Sequence, residues 1–328
     1  MWDPRTYEDT DYGLDEGESF EPEFDPADEP PFDRSLPHIM TLLGPIEPEE
    51  LGVCIPATRF LPMPSPGQSE RQRTRFLAEA AEELEAFASV GGRSVVDTST
   101  TSTGRDLPAL QRLTQLVPSH LIAAAGVVDP AANPAASIAS ELDGGLEGSG
   151  VEAGLIVVSA GVNLGPVIRL ALERGMPLLV ELDSWDAAAS AIEGRRDLLA
   201  DRDPRDCPSL ILAGPDAIPT ARLVGEAARV GGFVTMWAPG PGNPRAETAL
   251  AETLVAFSRQ GHAENVLVTL DLVAPRVRMA GPAEPRSPYL IDRLALALMN
   301  AGASALDVRQ IMIENPARAL TILPPVAN

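Results

Sequence analysis

Eight short apolar runs, β-branched or Leu-rich, recur along this chain at a nearly constant interval: Gly52–Pro56, Ser94–Thr100, Leu121–Gly126, Gly154–Ser159, Pro177–Asp183, Ser209–Gly214, Phe233–Ala238 and Val266–Asp271. From Val53 to Val266 the seven steps average about 30 residues, the length of one strand, one helix and two loops. The segments between them read as amphipathic helices, most clearly Glu70–Ser89, Leu107–Val117, Thr220–Val230 and Arg245–Gln260. Eight βα units at that spacing predict a closed (β/α)8 TIM barrel rather than an open doubly wound sheet. After the eighth run, Tyr289–Ala301 predicts one helix, and Ser304 with Asp307 three residues on predicts the capped start of another.

Charge divides the chain differently. Residues 1–34 hold 13 Asp and Glu against Arg5 and Arg34 alone, so this tenth of the sequence carries half of the net charge of −22. Its composition cannot bury enough surface to offset ordering, which predicts a disordered acidic tail over 1–36 and a barrel over 37–328. Trp2, Tyr7, Tyr12, Phe20, Phe24 and Phe32 lie among these acids. The tail reads either as a docking segment or as a solubilising one.

All 25 cations are arginine, and the absence of lysine removes Schiff-base chemistry, a P-loop lysine and a carbamylated-lysine metal bridge. The negative balance excludes the basic face that nucleic-acid binding needs and disfavours an anionic membrane. Cys54 and Cys207, far apart in apolar segments, read as small core residues rather than a disulfide or metal pair. Met1–Thr10 lacks a signal-peptide core and the run Leu121–Val128 is too short to span a bilayer, so the expected location is cytoplasmic.

In a barrel of this kind the chemistry sits at the C-terminal strand ends. Here those ends read Pro56-Ala57-Thr58-Arg59, Asp97-Thr98-Ser99-Thr100, Val157-Val158-Ser159, Glu181-Leu182-Asp183, Gly214-Pro215-Asp216 and Leu270-Asp271. No histidine occurs among them: His38 precedes the barrel, His120 opens the third strand, and His262 lies before the eighth. The hydroxyl run Thr98–Thr103 has no neighbouring base, Arg105-Asp106 reads as a local ion pair, and Pro239-Gly240-Pro241-Gly242 as a rigid loop. Asp216, after a proline, reads as a helix cap, while Trp185 and Trp237 read as core or pocket walls.

Four stretches in order, Met40–Pro56, Val95–Asp106 (VVDTSTTSTGRD), Gly145–Val158 (GLEGSGVEAGLIVV) and Glu314–Leu320 (ENPARAL), make the sequence resemble the phosphotriesterase-related branch of the amidohydrolase superfamily over Met40–Ile322. The resemblance implies a metal-dependent hydrolase fold with a pair of divalent cations such as zinc. Its ligands would be His-x-His after the first strand, a carbamylated lysine on the fourth, histidines on the fifth and sixth, and an aspartate on the eighth. Here those positions hold Ala57 and Arg59, Val157, Glu181, Gly214 and Asp271, and only Asp271 matches. The 24 positions from Val157 to Glu181 are short for the family and imply a trimmed rim.

Ala57, Val157 and Gly214 donate nothing, and Arg59 is a permanent cation, so neither metal nor other cofactor is expected. Arg59 is expected in the vacated region, neutralising Asp271 or Glu181. The competing expectation is an oxygen-rich site for magnesium or calcium built from Glu181, Asp183, Asp216, Asp271 and Asp97. The leading functional expectation is a pseudoenzyme with a binding, scaffolding or regulatory role and a protein partner or second copy. Its rival is a divergent phosphotriesterase- or lactonase-type hydrolase using Glu181, Asp183 and Asp271 as acid and base.

Overall fold

The computed structural model describes residues 32–62, 69–127, 133–200, 202–273 and 284–324. The expected tail therefore lies, up to residue 31, outside the described residues. Arg34 pairs with Glu152 at 2.8 Å.

A hairpin, β1 (Ile39–Thr41) and β2 (Gly44–Ile46), comes first. The barrel strands follow: β3 (Val53–Thr58), β4 (Gly92–Asp97), β5 (His120–Val127), β6 (Leu155–Ser159), β7 (Leu178–Glu181), β8 (Leu210–Ala213), β9 (Gly232–Trp237) and β10 (Val266–Thr269). They form one eight-stranded sheet in sequence order with parallel neighbours throughout. The Thr269 hydroxyl donates to the Ala57 carbonyl, joining β10 to β3 and bringing the barrel round on itself. The helices between strands are α1 (Glu70–Ser89), α2 (Leu107–Thr114), α3 (Pro134–Gly144), α4 (Leu164–Arg174), α5 (Ala188–Leu199), α6 (Ala221–Ala228) and α7 (Pro244–Arg259).

Local chemistry accounts for the boundaries. Ser69 and Gln72 make a capping box at the start of α1, and Asp106, Asn133, Thr220 and Asn243 each accept a backbone N–H at the starts of α2, α3, α6 and α7. Ser304 and Asp307 make the expected box in the C-terminal helical segment. The first strand runs two residues past its expected end, because the register shift between Ile55 and Thr58 accommodates the missing donor of Pro56. The second strand stops three residues early, where Asp97 turns its carboxylate back onto the Ser99 N–H at 2.8 Å. Tyr289–Ala301 is not one regular helix: a wide π turn, Leu290–Leu294, leads into Ala295–Asn300.

Strand alternation separates two cores. Cys54, Val96, Ala124, Leu155, Val157, Leu179, Ile211 and Leu267 fill the barrel interior, while Ile55, Val95, Ile156, Val158, Val180, Leu212 and Val268 pack outward against the helices. Both faces of each strand are buried, which is why the runs read as continuously apolar. The hairpin closes the N-terminal end, with the Leu42 N–H donating to the Leu121 carbonyl at 2.8 Å. Among the described residues no helix is long and apolar enough to cross a membrane.

Candidate functional site

The inward alternation that places Leu179 in the barrel places Glu181 two residues higher, at the C-terminal mouth. There a cavity of about 400 Å³ is lined by Arg59, Glu181 and Asp271, with Ala57, Leu179, Ala213, Gly214 and Trp237 among its apolar walls. The Arg59 guanidinium crosses this space to Glu181, its Nη2 lying 3.3 and 3.5 Å from the two carboxylate oxygens. Of the two expected acidic partners, Glu181 is the one that Arg59 meets. The contact is not fully enclosed, with the Arg59 side chain 44% and the Glu181 side chain 28% exposed.

Burial pushes the Glu181 carboxyl above the ordinary carboxylate range; Arg59 opposes the shift and Asp183 adds to it. Asp271 is anchored at the last strand end, where its Oδ1 accepts the Val273 N–H at 3.0 Å. Its backbone carbonyl accepts from Arg286 Nη1 at 2.9 Å. Arg286 is in turn held by Glu83, whose buried Oε1 accepts the Arg286 N–H at 2.7 Å, the Ser287 N–H at 2.6 Å and the Ser287 hydroxyl at 2.5 Å. Glu83 and Arg286 lie 203 positions apart, and no local motif at either one announces the pairing.

The remaining acids do not converge. Asp183 and Asp216 are exposed, and neither lines the cavity. Asp216 is not a helix cap either: α6 starts at Ala221, and Thr220 caps it because only a residue next to the first turn can reach its free N–H groups. Asp97 is buried, and its two oxygens are taken by the Phe60 and Ser99 N–H groups, each at 2.8 Å. Burial raises its pKa, with those hydrogen bonds opposing. Among the described residues no group of three or more His, Cys, Asp and Glu is placed to share one ion.

Three of the positions that the resemblance aligns with metal ligands, Ala57, Val157 and Gly214, are packed into the barrel end. Val157 is fully buried inside the barrel beside Leu179. Gly214 lies under the Trp185 ring, so a Cβ there would sit 2.3–2.5 Å from three ring carbons. The Trp237 indole N–H donates to the Gly214 carbonyl at 2.8 Å, so both tryptophans are walls at this strand end. Ala57 offers only a methyl. A metal pair needs several nitrogen, sulfur or carboxylate donors converging on it, and this set, two carboxylates with one already facing a guanidinium, does not fit such a pair.

His120, His38 and His262 lie away from the mouth. His120 is the first residue of β5, His38 is buried beside the C-terminal segment, and the His262 ring lies against Gly225. Arg105 and Asp106 do not pair with each other. The buried Arg105 guanidinium bonds Glu141 at 2.7 Å and Glu147 at 3.0 Å, which a short carboxylate beside it and committed to capping α2 cannot match. Both cysteines are free and buried, as expected, and burial pushes each thiol up.

No protein-family model matches the chain, and no curated protein matches its sequence. Its fold does have close structural counterparts. A lactonase from Listeria monocytogenes superposes with a TM-score of 0.71 at 17% identity, over 87% of this chain and 99% of the other. A phosphotriesterase from Mycobacterium tuberculosis gives 0.69 at 14% identity, over 87% and 99%. A resiniferatoxin-binding protein from Rhodobacter sphaeroides gives 0.67 at 21% identity, over 86% and 94%. The chain thus carries the barrel fold of the phosphotriesterase-like amidohydrolases.

Proposed function

We propose that this chain is a divergent member of the phosphotriesterase-related family that binds a small organic ligand at the barrel mouth and has given up metal-assisted hydrolysis. The observation that carries this reading is the Arg59–Glu181 ion pair, set across the space where the family holds its cations. A guanidinium there repels a divalent ion and occupies one of the two remaining carboxylates. The cavity beside it matches the size of small-molecule sites, roughly 300–1,000 Å³, and one structural counterpart is described as a binding protein. The role is then one of binding, scaffolding or regulation, with a protein partner or second copy to receive it.

A second reading is favoured by one specific observation, the raised pKa of Glu181, together with counterparts that are a phosphotriesterase and a lactonase. In it, ionised Glu181 takes a proton from water, the resulting hydroxide attacks the lactone or ester carbonyl, and Arg59 stabilises the oxyanion. The leaving alkoxide recovers the proton from Glu181.

Hydrolysis of lactones, aryl esters and phosphotriesters, measured with chelator and again with zinc, manganese or cobalt, separates the two. The binding reading expects no turnover in either condition. Turnover that survives chelation and is lost in Glu181→Gln would establish the metal-free hydrolase. Turnover that requires added metal would overturn both.

A further inference from the structure

The ligand's chemical class follows from how loosely Arg59 is held. Among the described residues that line the mouth cavity it is the only cation. A guanidinium has five N–H donors, and among the described residues only Nη2 is engaged, reaching Glu181 at 3.3 and 3.5 Å. A tight charge-assisted bond is about 2.7–2.9 Å, and the favoured Arg–carboxylate geometry uses two parallel N–H groups rather than one. Nε and Nη1 have no partner among the described residues, and nearly half of the side chain is exposed. Around this cation the cavity offers Leu179, Ala213 and the Trp237 ring, surfaces suited to an apolar or aromatic body.

We propose that the ligand is a small organic monocarboxylate, which displaces Glu181 from Arg59 and engages the guanidinium through two donors while its body packs against Trp237 and Leu179. This rests on the ligand-binding reading above and specifies it. Among the described lining residues Arg59 is the one cation and Glu181 lies beside it, so a second negative charge on the ligand would face a carboxylate rather than a cation, and dianions such as phosphate monoesters are disfavoured. Glu181 acts as an internal competitor. It keeps the cation satisfied in the free protein and must leave for the ligand to enter.

Calorimetric titration of the full chain with benzoate, and with benzamide as its neutral isostere, tests this. Benzoate is expected to bind and benzamide to bind at least about tenfold more weakly, since hydrogen bonds to charged groups exceed neutral ones by roughly that factor. Glu181→Gln removes the competing charge and is expected to tighten benzoate about five- to tenfold, whereas Arg59→Met, with its melting temperature checked, is expected to weaken it at least about tenfold. Equal binding of benzamide, weaker benzoate binding in Glu181→Gln, or no benzoate binding in either the parent or Glu181→Gln overturns the monocarboxylate assignment. Metal-dependent turnover overturns the ligand-binding reading itself, so the two failures are told apart.

Discussion

Glu181 stands two residues beyond the inward-facing Leu179, so strand alternation sends it toward the barrel axis, and Arg59 follows the end of β3 two residues beyond the inward-facing Ala57. Once the strand ends are assigned, the placing of Arg59 and Glu181 at the mouth is legible from sequence, and so is the absence of donor side chains at 57, 157 and 214. What packs at those positions is not legible. The Trp185 ring over Gly214 depends on a loop conformation that no short-range pattern encodes, and the choice of Glu181 over Asp271 depends on the position of each strand around the barrel. The pH response of Glu181 is a residue-scale consequence. Burial raises its folded pKa above the unfolded value, so the folded state holds this proton more tightly. Its contribution to stability is full below the ordinary carboxylate range and is lost as pH rises through the raised value. Glutamine cannot titrate. The melting temperature of Glu181→Gln relative to the parent is therefore expected to be more favourable at pH 7.5 than at pH 4.5, and an equal or reversed difference would contradict the burial argument.

At the scale of elements, the eight runs and the spacing between them carry the barrel, because parallel strands buried on both faces leave an unmistakable apolar signature. The helix starts were legible for the same kind of reason: Ser69, Thr220 and Ser304 are residues whose side chains satisfy free N–H groups. Long-range anchors were not. Gly126 is glycine because β5 and β6 come so close that a Cβ would lie 2.0 Å from the Val157 carbonyl oxygen. Gly126→Ala must push the strands apart and is expected to cost about 2–3 kcal/mol in urea unfolding. A change under half of that would show that the strands yield easily. The Glu83 carboxylate gathers three donors from Arg286 and Ser287, so Glu83→Ala leaves two buried or half-buried N–H groups without it. A loss of about 2–4 kcal/mol is expected, against near-neutrality for the exposed Glu82→Ala made as a control.

At the scale of the whole molecule, the chain carries a net charge of −22 with no lysine, and among the described residues that line the mouth cavity Arg59 is the one cation. The fold of phosphotriesterases and lactonases is kept over 86–87% of this chain, while the positions that in the resembled family carry metal ligands hold apolar residues, a glycine and an ion pair. A packed scaffold is specified by many strand and helix residues and the chemistry by a few at the rim, so a shared fold does not carry a shared site with it. The central claim is that Arg59 has taken the place of the metal pair. Zinc content after incubation of the purified full chain with excess zinc and exhaustive dialysis tests it most directly. The expected result is less than about 0.2 zinc per chain, the same in the parent and in Asp271→Ala, because the donor set cannot hold an ion against dialysis. Retention of one or two zinc ions per chain, lost in Asp271→Ala, would contradict it.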